Sequence, residues 1–229
     1  MNNLISQMQI QVNEKVFLKD PNSSELGKKI IAKSIELIVE MGLESFTFRK
    51  LATQLETTES SIYRYFESKH KLLLYLTSWY WGWLEYHLVF STANISSAEE
   101  RLKAAIKVIS KDIPDNEMFG HINLGLLNKI VISESSKAYL TKQVDDANKE
   151  GFYAGYKRMV IRISEIIKEL NPNFGFASTL TSTIIEGIQD QKYFAEHLPT
   201  LTDISGDSSI LTQFYTDMAI STIQQNNTP

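Results

Sequence analysis

Apolar residues recur every three to four positions along most of this chain, and clusters of Asn, Asp, Pro, Gly and Ser separate the recurrent stretches. The first stretch, Glu25 to Met41, reads as an amphipathic helix with Ile31, Ile35 and Ile38 on its buried line, closed by Gly42 where a left-handed residue is wanted. Phe48, Leu51, Ala52 and Leu55 then share one face of a short helix, with Thr47 ahead of them as N-cap. Thr58 is placed to cap a second short helix whose Ile62 and Phe66 share a face. Ser68 caps a third, starting at Lys69. Residues 72–90, LLLYLTSWYWGWLEYHLVF, are nineteen mostly apolar positions, which just reaches membrane-spanning length. Thr77, Ser78, Gly82, Glu85 and His87 interrupt them, so a buried connecting helix is expected instead. Leu72, Leu76, Trp79 and Trp83 form its stripe, with Trp81, Tyr86 and Phe90 elsewhere around it.

Ser96 with Glu99 fits a capping box and predicts a helix to about Asp112, ended by Ile113-Pro114-Asp115. Further helices are expected over Asn116–Ile132 and over Ser135–Leu170, the latter with Met159, Ile163, Ile166 and Ile167 on one side. Asn171-Pro172-Asn173 breaks the chain before Phe174–His197. Pro199 and a polar loop through Gly206-Asp207-Ser208 follow. Ser208 or Ser209 caps a last helix ending near Gln225, and the tail QQNNTP frays. Only residues 5–18 alternate, through Ile5, Met8, Ile10, Val12, Val16 and Leu18, and these read as a short extended segment before the Asp20-Pro21-Asn22-Ser23 break. The pattern predicts about nine helices and no strand, an all-α protein.

With 229 residues, 43% hydrophobic and 22% charged, the chain has the balance of a soluble globular protein. It has no cysteine, which excludes disulfides and thiolate metal sites and suits a reducing, cytoplasmic setting. The start MNNLISQMQIQVNEK lacks the basic and apolar regions of a signal peptide. Net charge is −4, but unevenly spread: residues 1–75 hold ten Lys and Arg against nine Asp and Glu, and the rest thirteen against eighteen. Nucleic-acid affinity would rest on a few placed contacts and on dimerisation, not on a bulk positive field. There is no Gly-rich phosphate loop, no HExxH pair and no convincing nucleophile–base–acid set. Neither a cofactor nor an enzyme is expected.

Two short helices joined by a tight turn, the second carrying Ser60, Ser61, Tyr63, Arg64 and Tyr65, describe a helix-turn-helix reader of DNA. The runs GLESFTFRKLA and SSIYRYFESK resemble the N-terminal domain of the TetR (tetracycline repressor) family over roughly residues 28–76, through Gly42, Thr47, Leu51, Ala52, Tyr63, Phe66 and Lys69. Where that family commonly has Gly and an apolar residue in the turn, this chain has Leu55-Glu56-Thr57-Thr58. Glu56 is therefore expected to take a left-handed conformation at a cost of roughly 1 kcal/mol. Glu59, at the front of the reading helix, either accepts from a cytosine amino group or repels phosphates.

The resemblance implies a three-helix DNA-binding domain at 25–75 behind an extension at 1–24, and a helical effector-binding and dimerisation domain at 76–229. Thr47 would bond a phosphate at a helix N-terminus. Arg49 would reach a base edge or a phosphate. Thr58 heads the reading helix. Ser60, Ser61 and Tyr65 would face the major groove, while Tyr63 and Lys69 hold the backbone. Plain packing is the alternative for Tyr63 and Tyr65, and a solvated helix start for Lys69. Arg64 is either a phosphate contact or a surface charge. The extension is either a tail or an arm that packs on the first helix or reaches DNA.

Trp79, Trp83, Tyr86, His87, Phe119, His121 and Asn123 mix aromatic faces with polar groups and are the candidates for a small-molecule cavity. Burial alone would also explain the aromatic stripe. Phe176, Leu180, Ile184, Ile188 and Phe214 are the expected seam of a homodimer formed through the last two helices. The reading is a repressor released from a palindromic operator by a small-molecule effector. Its rival is a helical ligand-binding or scaffolding protein that has lost sequence-specific DNA binding, motivated by Glu56, Glu59 and the acidic total.

Overall fold

The computed structural model describes residues 10–204 and 207–225. Among them the chain forms eleven α-helices and one pair of two-residue strands, so the fold is all-α. The early helices are α1 (Glu25–Ser45), α2 (Phe48–Gln54), α3 (Glu59–Tyr63), α4 (Lys69–Thr92), α5 (Ala98–Ser110) and α6 (Leu124–Glu134). They are followed by α7 (Ser136–Tyr139), α8 (Val144–Lys149), α9 (Ala154–Leu170), α10 (Ala177–His197) and α11 (Ser208–Gln225). Ile5, Met8, Gly206 and the tail after Gln225 lie outside the described residues. Two compact units result: one holds the chain up to Gly82 with Ile113–Ala154, the other Trp83–Asp112 and the chain from Gly155 onward.

In the first unit, the Ser24 hydroxyl caps α1 by accepting from Gly27 N at 3.1 Å. Ile30, Ile31, Ile35 and Ile38 are buried along its line. Gly42, at φ 74°, kinks the helix where the pattern asks for a left-handed residue, and the chain then makes one more turn to Ser45. The start of α4 is enclosed on every side: Leu72, Leu73, Leu74, Tyr75 and Leu76 are all at most 1% exposed. Protein core thus accounts for its apolar composition, and no helix among the described residues is long and apolar enough to cross a membrane.

Residues 10–24 pack as an arm on this unit. Ile10 is buried in the notch left by Gly82, where a Cβ would come within 2.8 Å of its Cγ2. Asn13 Nδ2 donates to Glu150 O at 2.7 Å, and Leu18 N donates to Tyr65 O at 2.8 Å. The Phe17 ring meets Tyr75 edge-on at 6.1 Å. Of the alternating residues Ile10 and Val16 are buried while Leu18 is exposed, and two 3-10 turns, Glu14–Val16 and Pro21–Ser23, shape the arm.

Two expected helices are corrected. In place of Asn116–Ile132, strands β1 (Met118–Phe119) and β2 (Ile122–Asn123) pair antiparallel around Gly120 at φ 61°, and the helix starts only at Leu124. Asn123 sets that start, because its Oδ1 accepts from Leu126 N at 2.9 Å. The single helix expected over Ser135–Leu170 is three, α7 to α9. The chain leaves helical geometry at Leu140 and reverses at Gly151, φ 81°, and the Tyr153 hydroxyl then donates to Ala138 O at 3.0 Å.

In the second unit the capping box lies one residue later than expected. Ser97–Glu100 fits the same S-x-x-E pattern as Ser96–Glu99, and the Ser97 hydroxyl accepts from Glu100 N at 3.3 Å. Helices α5 and α11 pack together, joined by Ser110 Oγ and Thr212 Oγ1 at 2.5 Å. Met159, Ile163, Ile166 and Ile167 of α9 are buried as their spacing predicts. Glu85, in the later part of α4, is buried and accepts from Arg158 Nε at 2.7 Å and Arg162 Nε at 2.8 Å. Asp207 supplies the cap expected of Ser208 or Ser209, its Oδ1 accepting from Ser209 N at 2.8 Å. That bond holds its carboxyl below the usual range.

Candidate nucleic-acid interface

Helices α2 and α3 are set by their caps. Thr47 Oγ1 accepts from Lys50 N and Thr58 Oγ1 from Ser61 N, both at 3.2 Å, each satisfying one of the orphan amides of a helix start. Phe48, Leu51 and Ala52 bury one face of α2, and Ile62 with Phe66 anchors the other side of the turn. Between the helices Glu56 is left-handed, φ 50°, as expected for the position where Gly would be unstrained. The turn closes through Glu56 N to Thr53 O at 3.3 Å and Thr57 N to Ala52 O at 3.0 Å.

Thr47, Arg49, Thr58, Ser60, Tyr63 and Arg64 are exposed on this module. Ser61 is half-buried, its hydroxyl 3.0 Å from that of Thr58. Tyr63 is 47% exposed while its ring leans edge-on against Phe48 at 5.1 Å, so one side chain both packs and presents a hydroxyl. Glu59 stands in the first turn of α3, where the helix dipole favours an acid whether or not a base is read.

Two expected contacts are corrected. Tyr65 is only 4% exposed and does not face a groove. Its hydroxyl meets Ser24 Oγ at 2.7 Å and its backbone receives Leu18, so it is a strut between the arm and the end of α3. Lys69 does not reach outward. Its Nζ donates to Leu43 O and Glu44 O at 2.9 Å and to Phe46 O at 3.3 Å, which engages all three of its N–H donors. Nearby, burial holds the His70 imidazole below its usual value, with Lys71 adding to the effect.

The seven residues expected to line a cavity divide between the units: Trp79, Phe119, His121 and Asn123 in the first, Trp83, Tyr86 and His87 in the second. Trp79 and Trp83 are buried, and the Trp79 ring meets Phe119 at 5.5 Å. Tyr86 and His87 are exposed, and His87 lies against Trp83 at 4.4 Å, so neither points into an enclosed space. Asn123 is spent on structure: besides capping α6, its Nδ2 donates to Asp115 O at 2.8 Å. His121 keeps a buried Nε2 without a hydrogen bond, and burial, then Lys28, pushes its pKa down while Glu25 opposes. Among the described residues no three acidic or imidazole side chains gather as a metal site would need.

Of the expected seam, Leu180, Ile184 and Ile188 are buried within their own unit and unavailable to a partner, because α10 packs on its neighbours through them. Phe176, 65% exposed, and Phe214, 54% exposed, remain at the surface.

Pattern reading missed Lys50 and Glu134. Lys50 Nζ donates to Ser45 O at 2.8 Å, and the buried Glu134 accepts from Leu43 N at 3.1 Å. An acid ending an apolar run was the only local signal for Glu134, and its partner is 91 positions away.

Residues 30–76 match the model of the family described as bacterial regulatory proteins, tetR family. A structure of a bacterial regulatory protein in the tetR family from Rhodococcus RHA1 superposes with a TM-score of 0.63 at 14% identity, over 87% of this chain and 97% of that one. AibR in complex with isovaleryl coenzyme A and operator DNA superposes with a TM-score of 0.57 at 13% identity, over 83% and 97%. The superantigen PfiT gives 0.56 at 15% identity, over 89% and 97%. A comparison with curated protein sequences finds no match. At these identities the likeness is one of fold.

Proposed function

We propose, from a chain that carries the N-terminal module of the tetR family of bacterial regulatory proteins and the fold of such regulators, that it is a homodimeric repressor that reads duplex DNA and is released by a small molecule. The observation that carries this reading is the pair of capped short helices α2 and α3, which leave Thr47, Arg49, Ser60, Tyr63 and Arg64 exposed on one compact module. Thr47 and Tyr63 have the chemistry to hold phosphates and so fix register. Arg49 and Ser60 have that of base-edge contacts, which specify sequence. A helix-turn-helix reads a half-site, so a twofold dimer and a pseudo-palindromic operator are expected. The exposed Phe176 and Phe214 support the last two helices as the dimer contact.

Release follows if an effector binds better to the form of the dimer whose readers are mis-spaced for the operator. The shift is limited by the effector's differential affinity for the two forms. AibR, solved with both a coenzyme A ester and operator DNA, supports the capacity of this fold to hold both ligands. Helix α4, which starts at Lys69 directly behind the reader, is the natural lever. The chemistry is binding, not turnover.

The test is selection of genomic duplex fragments by the protein at two salt concentrations. One pseudo-palindrome enriched, and weakened both by Tyr63→Ala and by higher salt, supports the reading. A folded, dimeric protein that enriches nothing at either salt overturns it in favour of a non-reading ligand binder, a role to which Glu56 and Glu59 would be neutral.

A further inference from the structure

The four residues between the Gly42 kink and the Thr47 cap are tied by the backbone bond from Phe46 N to Gly42 O, 3.1 Å, and by side chains from elsewhere. Lys69 gathers the carbonyls of Leu43, Glu44 and Phe46, and Lys50 takes that of Ser45. The remaining strong tie comes from α6, where Glu134 Oε1 accepts the Leu43 N–H at 3.1 Å. Glu134 is 7% exposed, and a buried carboxylate needs compensation. Lys137 provides it, with Nζ 2.7 Å from Oε2, and Lys137 also lies 3.5 Å from Glu44 Oε1. The pairing with Glu134 raises the Lys137 ammonium above its ordinary value. Two ammoniums therefore fix the carbonyl side of this turn, and one carboxylate fixes its amide side.

We propose that Glu134 is a positioning residue for DNA reading: its carboxylate, anchored on α6 outside the reader, fixes the Gly42–Phe46 turn and thereby the placement of Thr47 and helix α2. This rests on the DNA-reading function proposed above and adds to it a side chain outside the reader on which the reader's geometry depends. Thr47 begins only four residues after the held amide, so the rotation of the turn sets where the capped N-terminus of α2 points. Without the carboxylate the turn samples other orientations. Apparent affinity then falls by the fraction of molecules still competent.

The test uses three variants, with a duplex enriched from genomic fragments by the unaltered protein as the probe. Glu134→Asp keeps the charge but withdraws the carboxylate by about 1.5 Å, beyond reach of Leu43 N. Glu134→Ala removes it. Glu134→Gln retains an acceptor oxygen at the original reach. The expected result is a loss of affinity on the order of tenfold for Asp and Ala, with Gln within about threefold of the unaltered protein. Amide exchange, read in parallel, is expected to accelerate at residues 43–47 in the Asp variant while residues 72–76 keep their protection. A purely structural role would lower the melting temperature and leave the affinity of the folded fraction unchanged. Equal binding by the Asp variant, or unchanged exchange at 43–47, overturns the proposal. If Ala does not fold, Asp and Gln still decide. If the unaltered protein enriches no duplex, the DNA reading fails, and exchange alone decides whether Glu134 holds the turn.

Discussion

The Tyr65 hydroxyl stands 2.7 Å from Ser24 Oγ, joining the residue that caps α1 to a residue just past the C-cap of the reading helix. The same Tyr65 receives Leu18 N on its carbonyl, and Lys19 Nζ lies 5.1 Å from its ring centroid. A tyrosine that stands two positions from the exposed Tyr63 is thus wholly structural. Tyr65→Phe is expected to destabilise the protein by about 1 kcal/mol, the net value of one hydrogen bond, without changing which duplex is selected. Tyr63→Ala is expected to weaken DNA binding, while its stability falls only by the edge-on contact with Phe48, about 0.5–1.5 kcal/mol. Urea denaturation and duplex binding on the two variants separate the roles, and a change of selected sequence in Tyr65→Phe would contradict this assignment.

Glu56 occupies a left-handed turn at φ 50° with no glycine to ease it. A non-glycine residue there costs roughly 1–2 kcal/mol, offset by the entropy a glycine would lose, roughly 0.5–1 kcal/mol. Glu56→Gly is therefore expected to raise stability by about 0.5 kcal/mol. It also removes an acid beside the reader, so duplex affinity should rise at low salt and converge with the unaltered protein at high salt. Melting curves and a salt titration check both parts; lower stability would show that Glu56 makes a compensating contact.

Phe176 and Ile184 lie on the same stretch of chain but face different surroundings, 65% and 1% exposed. Phe176→Glu should leave the monomer fold intact and shift the dimer towards monomer in light scattering. Ile184→Ala should instead cost about 2–5 kcal/mol of stability, through lost burial and a cavity, whatever the oligomeric state. A Phe176→Glu protein that stays dimeric at micromolar concentration would remove this residue from the contact.

His121 stays neutral in the folded chain to lower pH than in the unfolded chain, because burial and then Lys28 oppose its protonation more than Glu25 favours it. Between the folded value and the unfolded one, about 6.5, the unfolded state binds more protons, so stability falls as pH drops through that window. His70, depressed by burial and Lys71, acts in the same direction. His121→Gln is expected to flatten the decline of the urea midpoint between about pH 7 and pH 5, leaving the His70 share. An unchanged slope would show that His121 protonates freely in the folded protein.

The elements that local rules govern were legible in the sequence. Thr47, Thr58 and Ser68 each bond an amide three residues on, and the left-handed Gly42 and Glu56 answer to the conformations of single residues. Apolar spacing within one turn placed Ile31, Ile35 and Ile38, and Met159 with Ile163 and Ile167, in the core. What escaped depends on partners remote in sequence, or on competing local options of equal merit. Ser96 and Ser97 offer the same capping pattern, and only packing chose Ser97. The family resemblance implies Lys69 at a phosphate, yet it meets carbonyls 23 to 26 positions earlier. Leu180, Ile184 and Ile188 have the spacing of a buried face, but spacing does not say whether the covering surface belongs to the same chain. Sequence alone therefore determined the helices, their caps and the kind of reader they build, because those are set by interactions within a turn or two. Only the tertiary structure decided which polar groups of that reader are spent holding it together, because a hydrogen bond such as Leu43 to Glu134 closes over 91 residues and leaves no local trace.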